Sequence, residues 1–145
     1  MKQFTKRICI LLVCVMMFTT TAFAAGPVEP RGSNFFVCSS VYFWNTSGRN
    51  YEIWFDVTSK GTMIELGASE IVVQRSTDEQ NWTTVRTYYM EDYSQMTESN
   101  SYTYANCVPF TATSGYAYRA IVMLYARNSS GRGYMQEVTA TVDLR

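Results

Sequence analysis

Few side chains in this sequence can do chemistry, and carboxylates are the main group left. The chain of 145 residues contains no histidine. This removes the usual general base, the usual activator of a serine or cysteine nucleophile, and the commonest zinc ligand. Paired carboxylates, which glycoside hydrolases use, remain. The candidate pairs are Glu91 with Asp92, Glu65 with Glu70, and Asp78 with Glu79.

All three acidic pairs lie in or beside predicted turns, where acidic side chains ordinarily face solvent. A serine–lysine pair would need Lys60, the only lysine after the N-terminal leader, and no S-x-x-K motif precedes it. Oxygens of Asp78 and Glu79 could surround a calcium ion, but EF-hand spacing is missing. We therefore expect no enzymatic activity, no cofactor and no metal site. A small carboxylate-dependent glycan hydrolase is the least favoured alternative.

The N-terminus has the features of a bacterial secretory signal peptide. A short basic segment precedes the apolar run 8–18, which is too short to cross a bilayer because a spanning helix needs about 20 residues. Ala22-Phe23-Ala24 then matches the small-x-small pattern before a cleavage site. These features predict cleavage after Ala24 and a secreted product without membrane insertion. That product would have a short linker, 25–34, and one domain, 35–145.

Removal of the leader changes the charge and the cysteine count. Three of the 12 basic residues leave, so nine remain against 12 acidic ones, for a net charge of −3. Such a balance lacks the basic patch typical of nucleic-acid binding and does not favour an anionic membrane surface. Cys38 and Cys107 become the only cysteines. In an exported protein, two cysteines indicate one disulfide.

The mature chain has the alternating pattern of β-strands. Around Tyr51, residues Ile53, Phe55 and Val57 share one face, and polar residues occupy the other. Seven such strands are predicted, separated by turn residues, with one helix-like turn at 62–66. The predicted strands are 35–44, 51–58, 71–75, 82–89, 102–108, 116–125 and 134–144. Short strands without intervening helices indicate an all-β protein, a single β-sandwich.

One turn motif has a clear physical basis. Ser76 to Trp82 reads S-x-D-x-x-x-W between two strands, an arrangement similar to Asp-box hairpins. Asp78 is expected to accept hydrogen bonds from backbone N–H groups in the turn, and Trp82 is expected to cover the open end of the core. Glu79 stands where a glycine would ease a positive φ. The motif predicts a hairpin rather than a sialidase.

Together with the segment 115–120, Gly-Tyr-Ala-Tyr-Arg-Ala, this motif resembles a fibronectin type III or immunoglobulin-like sandwich. The whole precursor resembles more closely the uncharacterised families of small secreted proteins from Gram-positive bacteria. The resemblance covers roughly 35–144 and implies a fold and an extracellular location, without a known reaction. Two features depart from a fibronectin module: Trp54 has outer-face parity, and a disulfide is predicted.

Binding is the remaining class of function. If Tyr118, Ala120, Val122 and Leu124 face the core, the alternate residues of that strand face outward, and most of these are not polar. The same parity places Arg86 and Tyr88 outward if Val85 points inward. The predicted contact residues are Arg86, Tyr88, Met123 and Tyr125. The partner would be a surface glycan or an extracellular protein, and self-association as a structural secreted protein is the alternative.

Overall fold

Alternation of apolar and polar residues folds most of the described chain into β-strands. The computed structural model describes residues 34–145, so the predicted signal peptide and most of the predicted linker lie outside it. No α-helix, and no helix able to span a membrane, occurs within residues 34–145. A 3-10 turn, Ser94–Met96, precedes β4. The strands are β1 (Phe36–Ser47), β2 (Asn50–Ser76), β3 (Thr83–Tyr89), β4 (Thr97–Thr111), β5 (Ala117–Asn128), β6 (Gly131–Val138) and β7 (Val142–Asp143). The prediction of an all-β protein is confirmed.

Strand β2 organises the sheet, because it is the antiparallel partner of four other strands. Its first half lies between β1 and β4, and its second half lies between β5 and β3. Strand β5 pairs on its other edge with β6 and, near its beginning, with β7. The seven strands therefore form one antiparallel sheet, which curls around an apolar interior.

One face of the curled sheet lines the interior. In the first half of β2, every second residue from Tyr51 to Val57 is buried, and the residues between them point to the outer face. Strand β5 follows the same alternation from Tyr118 to Ala126. The inward faces predicted for both strands are confirmed. Together with residues from the other strands, they form a single apolar core.

Strand β2 runs without a break through a segment predicted to contain a helix-like turn. Residues 62–66 are extended, and Met63 and Leu66 are buried and paired with β4. That turn prediction was wrong, because both apolar side chains can enter the core from an irregular strand. The register shifts between Thr58 and Met63 and again between Ala68 and Glu70. Such bulges bend a strand and increase its twist, which lets β2 serve both halves of the sheet.

The turn after β2 confirms the role predicted for Asp78. Its Oδ1 atom accepts hydrogen bonds from the backbone N–H groups of Gln80 (2.9 Å) and Asn81 (2.8 Å) and from the Ser76 hydroxyl (2.8 Å). These donors favour the charged carboxylate, so they hold the pKa of Asp78 well below its usual range. Glu79 has a φ of 56°, the positive value for which glycine is the easier residue.

Trp82 does not cover the core as predicted. Its ring lies under the guanidinium of Arg119, 4.2 Å from the ring centroid, and its indole N–H donates to the carbonyl of Glu79. Arg119 alternates with the buried residues of β5 and therefore points to the outer face. Cation–π attraction to Arg119 thus holds Trp82 on the outside of the sheet.

The predicted Cys38–Cys107 disulfide is absent, and both thiols are free. Cys38, on β1, lies opposite Thr58 of β2. Cys107, on β4, lies opposite Trp54 of β2. Strand β2 separates the two, so two strand spacings, roughly 10 Å, lie between them. A disulfide needs Cα atoms within about 7 Å. Even in the oxidising environment expected of an exported protein, two cysteines at this spacing do not form a disulfide.

Candidate functional site

The four predicted contact residues do not share an exposed face. Tyr88 lies opposite the buried Ile71 and is only 1% exposed. The parity prediction was wrong here because Val85 is an extra, unpaired residue in a bulge of β3, and its side chain is 38% exposed instead of buried in the core. Arg86, opposite the buried Val73, is on the inner side at the rim of the core. Its side chain remains exposed.

Met123 and Tyr125 do point to the outer face, but little of Tyr125 is accessible. The ring of Tyr134 lies 5.3 Å from that of Tyr125, and Tyr125 lies opposite Gly67 on β2. Tyr125 is 4% exposed, and burial raises the pKa of its hydroxyl. The structure therefore separates Arg86 and Tyr88, on the inner side, from Met123 and Tyr125, on the outer side.

A different group of aromatic residues is exposed on the outer face of the half-sheet formed by β1, the first half of β2 and β4. We call Tyr42, Trp44 and Trp54 the aromatic platform. Tyr42 and Trp44 are 43% and 60% exposed, and Trp54 is half-buried. Tyr42 lies directly opposite Trp54, and Trp44 follows two residues later on β1, opposite Glu52. Residues opposite one another and two apart share a face, so the three side chains form one patch.

Ring packing and one hydrogen bond fix the orientation of the platform. The rings of Tyr42 and Trp54 are parallel to within 5°, with centroids 6.4 Å apart. The indole N–H of Trp54 donates to the Oε2 atom of Glu52 at 2.9 Å. With its one polar atom bonded in this way, the indole is held in a defined orientation while Trp44, beside it, remains largely accessible.

The β1–β2 hairpin places these residues in register. Gly48 has a φ of 55°, the left-handed conformation that favours glycine in a tight turn. Asn45 donates to the carbonyl of Gly48, and Thr46 donates to the carbonyl of Asn50. Because loop length and turn type set hairpin register, this turn aligns Tyr42 with Trp54.

Polar groups border the platform on the same face. Glu52 is half-buried beside Trp54, and the exposed Asp56 follows further along β2. Cys107 lies across from Trp54 on β4, where burial first, and the nearby Glu52 carboxylate second, raise the pKa of its thiol. The thiol therefore stays protonated at neutral pH. The carboxylate oxygens are acceptors for hydroxyl donors on a ligand.

Sequence reasoning gave Trp54 its outer parity but did not combine it with Tyr42 and Trp44. A usable signal existed, because Tyr42 and Trp44 have period-two spacing opposite a polar-faced strand. What the sequence lacked was the register of the β1–β2 pair, which decides that the three residues are neighbours.

The carboxylate pairs considered for hydrolysis have other surroundings. Glu79 forms an ion pair with Arg145, and Glu65 forms one with Arg127 at 3.3 Å. Glu91 and Asp92 are exposed in the turn after β3. Among residues 34–145, no group of three or more acidic or cysteine side chains is arranged to hold a metal ion.

Comparisons of the chain with protein-family models, with curated proteins and with solved structures find no match.

Proposed function

We propose that this chain is a secreted, non-enzymatic binding module that contacts a glycan through the aromatic platform. The observation that carries the proposal is the exposed Tyr42–Trp54–Trp44 patch, with its parallel ring pair and bordering carboxylates. Pyranose rings have apolar C–H faces that pack on aromatic rings, and their hydroxyls donate to carboxylates. Binding sites combine apolar area with a few placed polar groups in this way.

Exposure supports the same proposal. Neighbouring aromatic rings that nothing covers expose a contiguous apolar surface to solvent. Contiguous exposed apolar patches mark contact sites. Tyr and Trp are also the residue types that dominate binding energy. Neither Tyr42 nor Trp44 belongs to the buried core, so packing of the core does not account for them.

A glycan array with the protein and its variants tests the proposal. We expect Trp44→Ala and Tyr42→Ala to reduce glycan binding at least tenfold, about 1.4 kcal/mol each, without a change in far-UV circular dichroism. Tyr102→Ala is the matched control, because Tyr102 is 61% exposed but lies outside the platform. Equal losses in all three variants, or no glycan bound by the unaltered protein, would contradict the proposal.

Self-association is the second candidate, and the exposed edge of β1 favours it. Within residues 34–145, β1 has β2 as its backbone partner on one edge only, and Val37 and Trp44 on this strand are 62% and 60% exposed. Free strand edges promote pairing with another chain. Sedimentation velocity at several concentrations distinguishes the two candidates: a dimer that Trp44→Ala dissociates would favour self-association over glycan binding.

Three finer expectations belong to the same proposal. Export rests on the leader, and intact mass of the product is expected to correspond to a chain beginning at Ala25. An immunoglobulin- or fibronectin III-like sandwich remains a proposal for how the two halves of the curled sheet face each other. Membership of a Gram-positive secreted family rests on the sequence resemblance alone.

A further inference from the structure

A cavity opens between β3 and the end of β4, on the inner side of the sheet. Both strands flank the same edge of β2 but pair with different parts of it. At the rim, a hydrogen bond from the Tyr88 hydroxyl to the carbonyl of Pro109 links the two strands. Beside this bond lies a space of about 430 Å³, within the range of small-molecule sites.

Two arginine residues line this cavity. Arg75, at the end of β2, and Arg86, on β3, both contribute to its wall, and each lies over a tyrosine ring, Tyr116 at 4.3 Å and Tyr88 at 4.9 Å. Within residues 34–145, neither arginine forms an ion pair, and no carboxylate is among the lining residues. Two like charges at one rim repel each other, so an anionic group bound there would be favoured by both.

The rest of the wall suits a ring that carries hydroxyls. Val85, Phe110 and Tyr118 supply apolar surface, and Thr111 and Thr113 are polar lining residues. The Thr111 hydroxyl donates to the Oδ1 atom of Asn50 at 3.0 Å. The hydroxyl of Tyr118 is already bonded to the backbone of Thr113, as acceptor at 2.9 Å and donor at 3.0 Å. This fixes the wall. The guanidinium of Arg86 donates one hydrogen bond to the Tyr93 hydroxyl at 3.2 Å, and its other N–H groups and those of Arg75 are the main polar groups left for a ligand.

We infer that this cavity is a second binding site, specific for a carboxylate-bearing sugar ring such as a uronate. The arginines would hold the carboxylate in the bidentate geometry that guanidinium groups favour, while the ring would pack against Phe110 and Val85. The cavity contains none of the platform residues, so the inference does not depend on the platform's ligand.

Titration of the full-length mature protein with glucuronate and with glucose, followed by NMR, tests this inference. The two sugars differ in a carboxylate replacing a hydroxymethyl group, so glucose is the neutral control. We expect glucuronate to bind at least tenfold more tightly, to shift the amide signal of Val85, and to weaken as salt rises. Arg86→Gln and Arg75→Gln are each expected to weaken glucuronate binding about tenfold or more.

Arg132→Gln, which removes one positive charge on β6 outside the cavity, is the matched control and is expected to have no effect. Arg86 is exposed, so Arg86→Gln keeps the test valid even if Arg75→Gln unfolds. Equal binding of glucose and glucuronate, or equal losses in Arg132→Gln and Arg86→Gln, would overturn the inference. Trp44→Ala separates the two sites, because it is expected to reduce array binding and leave glucuronate binding unchanged.

Discussion

The side chain of Tyr88 joins β3 to β4, because its hydroxyl donates a hydrogen bond to the carbonyl oxygen of Pro109. The ring itself is almost fully buried, and burial raises the pKa of the hydroxyl. Tyr88 therefore belongs to the scaffold rather than to an exposed contact face, and the consequences for stability can be measured.

Two substitutions of Tyr88 are expected to destabilise the fold to different degrees. Tyr88→Phe removes the hydrogen bond and is expected to lower the free energy of unfolding by about 1 kcal/mol. Tyr88→Ser also empties a buried aromatic site and is expected to cost roughly 3–5 kcal/mol, so a Tyr88→Ser, Tyr125→Ser double variant should unfold. Urea denaturation measures both. Tyr102→Ser, at an exposed position, is expected to change stability by less than about 0.5 kcal/mol.

Gly67 is expected to resist substitution. A Cβ atom at this position would collide with the backbone carbonyl of Met96, so Gly67→Ala must push β2 and β4 apart. We expect a loss of about 1–3 kcal/mol, the usual range for overpacking, measured by thermal denaturation. Gly61→Ala is the control, because nothing lies within 4 Å of a Cβ there. Equal midpoints for the two variants would contradict the close approach.

Both cysteines are expected to react with a thiol reagent when the unreduced product lacking residues 1–24 is unfolded. In the folded protein, Cys38 is expected to react first, because it is exposed. Cys107 is expected to react more slowly, since its raised pKa leaves less of the reactive thiolate. Mass spectrometry of the labelled protein counts the thiols. A product with no labelled cysteine would show that the separation of β1 and β4 is wrong.

Stability contributed by Asp78 is expected to depend on pH. Its folded-state pKa is lowered, so the contribution is fully present above the unfolded pKa of about 3.9 and is lost as pH falls toward the lowered value. The difference in thermal midpoint between the unaltered protein and Asp78→Ala should therefore narrow from pH 5 to pH 2.5. The difference between Asp78→Asn and Asp78→Ala should stay constant, because neither side chain titrates.

Period-two alternation predicted the parts of the fold that depend on regular pairing. The buried faces of β5 and of the first half of β2 follow directly from it, and the turn chemistry of Asp78 depends only on local donors. Where strands are irregular, alternation fails. The bulge at Val85 reverses the parity of β3, and it could not be predicted because it arises from how β3 meets β2.

Pairing between strands that are distant in the sequence likewise determines the features that the sequence did not predict. Residues 51–58 and 71–75 were predicted as separate strands, but both belong to β2, since the segment between them is held by partners far away in the chain. The same reason explains the missing disulfide and the unpredicted platform. Each depends on which strands flank β2, and a single sequence does not carry that information.

The length of β2 has a consequence for how the chain folds. Its 27 residues take part in two local hairpins, with β1 and β3, and also in pairings with β4 and β5. Asn50 and Thr111, for example, are bonded across 61 positions. Local hairpins close at low entropic cost, whereas distant pairings slow folding. We therefore expect both hairpins to form early and β4 to dock late. Before β4 docks, one edge of the first half of β2 is unpaired and can pair with another chain.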